Sequence, residues 1–175
     1  MAGIEELIAR LARLEAEGNI RRVMMRYMEL CDHMDGETSM DDLGALFAVD
    51  AVWAGKGRRY GAAFGWHSGR SAITAMLGTY RGPPPHFAMN AHFLSSETID
   101  VAADCRSGTG TWMMLQTSTY ADGRSDLRSA RLSVAFVVED ALWRIARFET
   151  ENLFSRPVDR WDDPAPVPVP QTRGE

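Results

Sequence analysis

The clearest candidates for chemistry are polar side chains in the segment that follows three consecutive prolines. If residues 86–99 form a strand, alternation places His86, Asn90 and His92 on one face. Histidine is the side chain that exchanges protons near neutral pH. His86 and His92 would lie about 20 Å apart unless a bulge intervenes, whereas Asn90 and His92, about 7 Å apart, could contact one ligand. The segment therefore predicts a polar strand face suited to acid–base chemistry.

A second pair of reactive side chains lies on the predicted first helix. Tyr27 is near the middle of its apolar face, and Asp32 is about 140° further round the helix axis. Asp32 is therefore at the edge of that face, where a carboxylate either reaches into a site or stays in solvent. Tyr27 is either a hydrogen-bond donor to a ligand or a core tyrosine bonded to a carbonyl.

The elements that position these residues follow an order of helices first and strands afterwards. Apolar residues recur at intervals of three and four from Ile4 to Met34, with a weak point at Gly18, which predicts a long helix. Ser39 and Asp42 form a sequence like a capping box. We then expect a short second helix from Met40 to Phe47, a strand over 50–54, a glycine-rich loop or hairpin over 55–65, and a third helix over 69–80.

Four strand-like runs with short connections predict an antiparallel meander over residues 86–99, 108–120, 127–138 and 142–154. We therefore expect one α+β domain over residues 1–156, in which helices pack on a curved antiparallel sheet. Residues 157–175 form a proline-rich tail that contains Trp161. This tail either docks on the folded surface, near a pocket mouth or a neighbouring subunit, or is a loose solubilising end.

This arrangement resembles the SnoaL-like branch of the NTF2-like superfamily over residues 14–156. The patterns that carry the resemblance are Ile20-Arg21-Arg22 through Tyr27 to Asp32, Leu46 to Trp53, Gly69 to Ile73, His86-x-x-x-Asn90, Gly110-x-Trp112 and Trp143-Arg144-Ile145. The resemblance implies a cone-shaped curved sheet with helices that close a pocket. The superfamily contains dehydratases, isomerases, epoxide hydrolases, polyketide cyclases and non-catalytic modules, so the fold does not determine the function.

Members that act on scytalone and bile acids have a matching residue pattern, which implies a catalytic set of Tyr27, Asp32 and His86. In this interpretation His86 transfers the proton, Asp32 holds its tautomer and charge, and Tyr27 donates a hydrogen bond to oxygen. The bile-acid dehydratases carry a further Asp four residues past the Trp, where this sequence has Gln116. An amide exchanges no proton at neutral pH, so a dehydration that needs a second carboxylate is disfavoured.

Further residues are candidate contacts for a substrate. Trp112 and Gln116 fall on one strand face with Met114 between them, as a pocket wall would require. Arg131 interrupts an apolar strand, so it is either on the surface or paired with an anion. The full set of predicted substrate contacts is Tyr60, Asn90, His92, Trp112, Met114, Gln116 and Arg131.

These residues predict a cofactor-independent lyase that acts on a mostly apolar, aromatic or polycyclic hydroxylated substrate, within the catabolism of aromatic compounds. The reaction would be loss of water or carbon–carbon cleavage, such as loss of formaldehyde from a lignin-derived diarylpropane diol. A ketosteroid-type isomerase is an alternative, and so is a non-catalytic support subunit of the dioxygenase β-subunit type. An open cavity with a polar floor would favour an enzyme, and a cavity filled by Met and Trp would favour the support role.

Composition restricts the partners. The net charge is −5 without a basic stripe, so we expect no nucleic acid partner. No apolar run approaches the ~20 residues that span a bilayer, and the segment from Ile4 to Leu14 contains charges, unlike a signal peptide. Neither cysteine has metal-ligand spacing, and no G-x-G-x-x-G or phosphate-binding loop occurs, so no metal or cofactor is expected. We expect a cytoplasmic protein, and the resemblance implies a homodimer or homotrimer.

Overall fold

A computed structural model describes residues 2–159 and Trp161, and it packs the helices against one six-stranded sheet. The helices are α1 (Ala2–Asp32), α2 (Met40–Ala45), α3 (Gly57–Phe64) and α4 (Arg70–Gly78), followed by a 3-10 turn over Thr79–Arg81. The strands are β1 (Phe47–Lys56), β2 (Trp66–Ser68), β3 (Phe87–Val101), β4 (Ser107–Tyr120), β5 (Ser125–Glu139) and β6 (Leu142–Val158). The predicted α+β class with a curved sheet is confirmed.

The sheet has the strand order β2-β1-β6-β5-β4-β3. Strands β3 to β6 form the predicted antiparallel meander, in which neighbours along the chain are neighbours in the sheet. The last strand returns to lie beside the first, and β1 pairs with β6 in parallel, with Trp53 opposite Phe148. The sheet is therefore mixed rather than wholly antiparallel. Strands β1 and β6 are not connected by a hairpin, so they can run in the same direction.

The glycine-rich segment 55–65 is not a loop or hairpin as predicted, because most of it forms α3. Tyr60 and Phe64 are four residues apart and therefore share one helix face. Phe64 packs edge-on against Trp53 of β1, with ring centroids 5.6 Å apart. Gly57 and Gly65 lie at the two boundaries of the helix, where both adopt a φ of 65°.

Helix α1 carries two apolar faces rather than the single continuous one that its sequence predicts. The C-terminal part packs on β3 and β6 through buried side chains that include Ile20, Met24 and Tyr27. The apolar residues before Gly18 are exposed instead: Ile4, Leu7, Ile8, Leu11 and Leu14. Although α1 is long, none of the described helices has the length and apolar character needed to cross a membrane.

The chain turns from α1 into α2 as the sequence predicts. Ser39 caps α2, and its Oγ accepts a hydrogen bond from the backbone N–H of Asp42 at 3.1 Å. At the other end of the domain, β6 continues through Pro157 to Val158, two residues beyond the predicted domain boundary at residue 156. Trp161 lies next to the sheet, where its Nε1 donates to the backbone oxygen of Ser118 at 3.1 Å. The other predicted tail residues beyond Asp159 lie outside the described part of the chain.

Candidate functional site

A cavity of about 350 Å³ lies between the helices and the concave face of the sheet. Its wall is mostly apolar and aromatic, with Trp53, Phe64, Leu77, Met114, Leu132 and Phe148 among the lining residues. Of the residues predicted from sequence, seven line it: Tyr27, Tyr60, His86, Asn90, His92, Met114 and Gln116. A cavity of this size and character accommodates one small organic molecule.

His92 on the cavity wall forms a histidine–carboxylate pair with Asp32, which lies behind it and does not itself line the cavity. Asp32 is the last residue of α1, and its Oδ1 is 2.6 Å from Nδ1 of His92 on β3. The backbone N–H of His92 also donates to Oδ2 of Asp32 at 3.2 Å, so the carboxylate contacts both the backbone and the ring of His92. Nε2 of His92 has no hydrogen-bond partner in residues 2–159 or Trp161. This geometry places a proton on Nδ1 and leaves the lone pair of Nε2 as a base.

The prediction that Asp32 orients His86 is wrong, because its histidine partner is His92. The reason is position along β3: Asn90 donates to the carbonyl of Cys31, so the strand meets the end of α1 at residues 90–92, whereas His86 lies before the strand begins. Strand β3 also contains a bulge, since Phe87 pairs with Tyr120 but Met89 pairs with Thr119. One extra residue at position 88 reverses the alternation, so Phe87 joins Asn90 and His92 on the concave side. His86 precedes the strand and lines the cavity separately from this pair.

Buried hydrogen bonds centred on Asn90 fix the position of β3 against the end of α1. Its Nδ2 donates to the backbone oxygen of Cys31 at 3.2 Å. Its Oδ1 accepts from Gln116 Nε2 at 2.8 Å and from Ser118 Oγ at 2.7 Å. Because Cys31 precedes Asp32 and Asn90 lies two residues before His92, this network holds the two strands and the helix in the register that the pair requires.

Tyr27 lies on the cavity wall with its hydroxyl buried. Nε1 of Trp53 donates to this hydroxyl at 3.0 Å, and the hydroxyl proton lies within hydrogen-bonding reach of the Cys31 thiol. Burial raises the pKa of Tyr27 well above its usual value, so the hydroxyl stays protonated at neutral pH. Burial likewise raises the pKa of the neighbouring Cys31 thiol to about 12, which keeps it a neutral side chain rather than a nucleophile.

A second polar group on the cavity wall is built around Arg128 of β5. Its guanidinium donates to the Tyr120 hydroxyl and, at 2.8 Å, to Asp126. His86 packs against the Tyr120 ring, with centroids 5.2 Å apart. Burial and then the charge of Arg128 lower the pKa of His86, so its ring is mainly neutral at pH 7. Burial raises the pKa of Tyr120 to about 12.

Two of the predicted contacts do not reach the cavity. Arg131 is exposed on the outer face of β5, because it is opposite in phase to buried Leu132. The same alternation, counted back from Leu132, brings Arg128 to the inner face, and sequence reasoning missed this signal. Trp112 is buried beside a smaller cavity of about 140 Å³, where its Nε1 donates to Glu97 at 3.1 Å.

Metal-ligating side chains do not converge on this site. In residues 2–159 and Trp161, no three His, Cys, Asp or Glu side chains could hold one ion together.

The chain is similar to one protein family and to several solved structures. A family model described as a SnoaL-like domain matches residues 12–149. Hexachlorocyclohexane dehydrochlorinase LinA-type3 from Novosphingobium barchaimii LL02 has a similar structure, with a TM-score of 0.71 and 15% identity over 89% of this chain and 99% of that one. A protein named as a candidate scytalone dehydratase, from Novosphingobium aromaticivorans DSM 12444, has a TM-score of 0.68 and 20% identity over 93% of this chain and 98% of that one.

An NTF2-like protein with a cystatin-like fold, also from Novosphingobium aromaticivorans, is 26% identical, with a TM-score of 0.63 over 84% of this chain and 88% of that one. No curated protein matches the chain. These likenesses confirm the fold that the resemblance implied. The activities in the relatives' names are properties of those proteins.

Proposed function

The chain belongs to the SnoaL-like domain family, and we propose that it is a lyase that needs no cofactor and removes a proton through the Asp32–His92 pair. The observation that carries this proposal is the 2.6 Å contact that Asp32 makes with His92, whose side chain lines a mostly apolar cavity. A carboxylate in this position stabilises the imidazolium that forms when His92 accepts a proton. An apolar wall strengthens that interaction because it excludes water.

The proposed reaction is an elimination. Nε2 of His92 takes a proton from a carbon atom of the substrate, and the C–H electron pair forms a double bond to the adjacent carbon. The leaving group departs from that second carbon with its bonding electrons, and the His92 imidazolium can return the proton to a leaving oxygen. Tyr27, kept protonated by burial, is placed to donate a hydrogen bond to an oxygen of the substrate.

The cavity wall favours a mostly apolar, aromatic or polycyclic substrate. Its volume of about 350 Å³ suits one small molecule, and its aromatic side chains suit ring stacking. The guanidinium of Arg128, which lines the cavity, supplies a hydrogen-bond donor for an oxygen elsewhere on such a molecule. Loss of water and loss of hydrogen chloride are the eliminations to test, the second because a structural relative is named a dehydrochlorinase. Loss of formaldehyde is a third reaction to test: Nε2 of His92 would take the proton of a hydroxymethyl oxygen, the O–H pair would form the carbonyl of formaldehyde, the C–C pair would form the double bond, and a hydroxyl group would leave from the next carbon as water.

The open cavity also bears on the alternatives. A support subunit needs no cavity, and here methionine and tryptophan side chains line the space without filling it. An isomerase would use the same pair but would return the proton to another carbon of the same molecule. The two reactions differ in product mass, since isomerisation leaves the mass unchanged and elimination lowers it.

The test is a screen of phenolic diols, hydroxysteroids and chlorinated cyclohexanes by mass change, followed by two matched histidine variants. His92→Gln should lower kcat at least 10²-fold, the typical cost of losing a general base. His86→Gln is the control and should stay within about tenfold of wild type, because His86 lacks the Asp32 contact. Full activity of folded His92→Gln, together with loss of activity in His86→Gln, would return the proton transfer to His86 and refute this assignment.

A further inference from the structure

The N-terminal part of α1 carries an apolar surface that no described part of the chain covers. This surface, the α1 stripe, consists of five large side chains that are between 56% and 67% exposed: Ile4, Leu7, Ile8, Leu11 and Leu14. Isolated exposed leucines are common on protein surfaces. Five on adjacent turns of one helix form a continuous patch, which marks an interaction surface.

The stripe points away from the domain to which α1 belongs. Ile20 and Tyr27, which are buried against the sheet, lie roughly 160–180° round the helix axis from Leu11. A partner on the stripe would therefore contact α1 on the side opposite the chain's own sheet. The helix is already formed and anchored by its C-terminal half, so binding there need not begin with helix nucleation.

The spacing of the stripe is that of a helix pairing with a copy of itself. Ile4, Leu7, Leu11 and Leu14 are separated by three, four and three residues, the a and d positions of two heptads. Ile4 at an a position with leucines at both d positions, 7 and 14, favours two strands over three or four. The stripe lies opposite the domain. If two copies paired through their stripes about a two-fold axis between the helices, each domain would lie on the outer side of its own helix, away from the other copy.

The charges beside the stripe are complementary in a parallel pair. Arg10 occupies the g position and Glu15 the following e position, which meet between parallel helices. Neither side chain forms an ion pair within the described chain, whereas Arg13, on the polar face, lies 3.9 Å from Glu17 of the same helix. An antiparallel pair would instead bring the two Arg10 side chains near one another, since it matches g positions with g positions.

The charge of the segment argues against a lipid surface as the occupant. Residues 1–17 contain four glutamates and two arginines. Helices that lie on anionic membranes are rich in Lys and Arg on the polar face. The acidic balance of this helix would oppose such binding.

We propose that two copies of this chain associate through the α1 stripe as a parallel two-stranded coiled coil over residues 4–15. Leu7 and Leu14 each face their counterpart, and Arg10 of each copy pairs with Glu15 of the other. Helix α1 lines the cavity only from Tyr27 onward, beyond the α1 stripe, so this association is independent of the proposed elimination.

Sedimentation equilibrium of the full chain tests the proposal. Wild type should be a dimer at micromolar concentration, and the Leu7→Glu/Leu14→Glu variant should dissociate at least 10²-fold more readily, since the charges would face each other in the seam. Leu142→Glu is the matched control: Leu142 is 58% exposed but lies at the start of β6, away from the α1 stripe, and the dimer should persist. A monomeric wild type, a trimer, or a dimer that survives Leu7→Glu/Leu14→Glu would overturn the proposal.

Two further variants test the orientation. Arg10→Glu should weaken the dimer, and the charge exchange Arg10→Glu/Glu15→Arg should restore it. Under oxidising conditions Leu14→Cys should form a covalent dimer, whereas Ala9→Cys, on the opposite side of the helix, should behave like wild type. Failure of the charge exchange to restore association, or equal crosslinking of both cysteine variants, would refute the parallel pairing.

Discussion

Replacing Asn90 by alanine should destabilise the whole domain, because this side chain satisfies three buried polar groups at once. Gln116 Nε2 and Ser118 Oγ would lose their acceptor, and the Cys31 carbonyl would lose a donor. Ser118 is fully buried and Gln116 is 8% exposed, so water cannot readily replace the missing partner. At about 1–2.5 kcal/mol for each of the two orphaned side chains, the expected loss is roughly 2–5 kcal/mol.

Urea unfolding monitored by circular dichroism measures this loss. With an m value of about 2 kcal/mol per molar, the midpoint should fall by roughly 1–2.5 M urea with an unchanged slope. Asn152→Ala is the matched control, since Asn152 also donates three hydrogen bonds but is only half-buried on β6. Its cost should be about 1 kcal/mol.

The result that would refute this reasoning is an Asn90→Ala midpoint no lower than that of Asn152→Ala. Buried polar satisfaction would then not be what fixes β3 against α1. If the reasoning holds, Asn90→Ala should also lower turnover, because the same network positions Asp32 and His92.

Three other predictions concern a close approach, a titrating group and the end of the chain. Gly55→Ala should cost roughly 1–3 kcal/mol in urea unfolding, because the new methyl would lie 2.2 Å from the backbone oxygen of Tyr60, whereas Gly36→Ala meets no atom within 4 Å and should be nearly neutral. The pKa of His86 is lower in the folded chain than in the unfolded one, so its contribution to stability is present above pH 6.5 and is lost as the pH falls through the lowered value. Thermal melts between pH 5 and 7 should therefore show a smaller acid loss for His86→Gln than for wild type, and an equal loss would contradict this. Trp161→Ala removes the hydrogen bond to Ser118 and should lower Tm by about 2–4 °C, whereas an unchanged Tm would mean that this contact does not stabilise the domain.

Local patterns in the sequence determined the order and class of the elements. The strands of the meander were predicted within a few residues of their observed bounds, because period-two alternation and turn residues are local signals. The apolar spacing of three and four predicted α1 correctly as a helix. It did not reveal that the apolar face changes sides near Gly18. Apolar residues recur at intervals of three and four on both sides of the helix, so the spacing by itself does not show which side is apolar.

In the candidate site, the residues were predictable from local patterns but one of their contacts was not. Sequence placed Tyr27, Asn90, His92 and Gln116 among the site residues, and all four line one cavity. It also identified Asp32, but it gave this carboxylate the wrong histidine. Which histidine meets Asp32 depends on where the end of α1 packs along β3, at residues 90–92, and this packing joins residues 60 positions apart in the chain. The β3 bulge, which places Phe87 rather than Ala88 on the side of His92, likewise comes from how β3 pairs with β4. Local patterns carry no information on such long-range contacts, so tertiary structure alone decided that His92 meets Asp32.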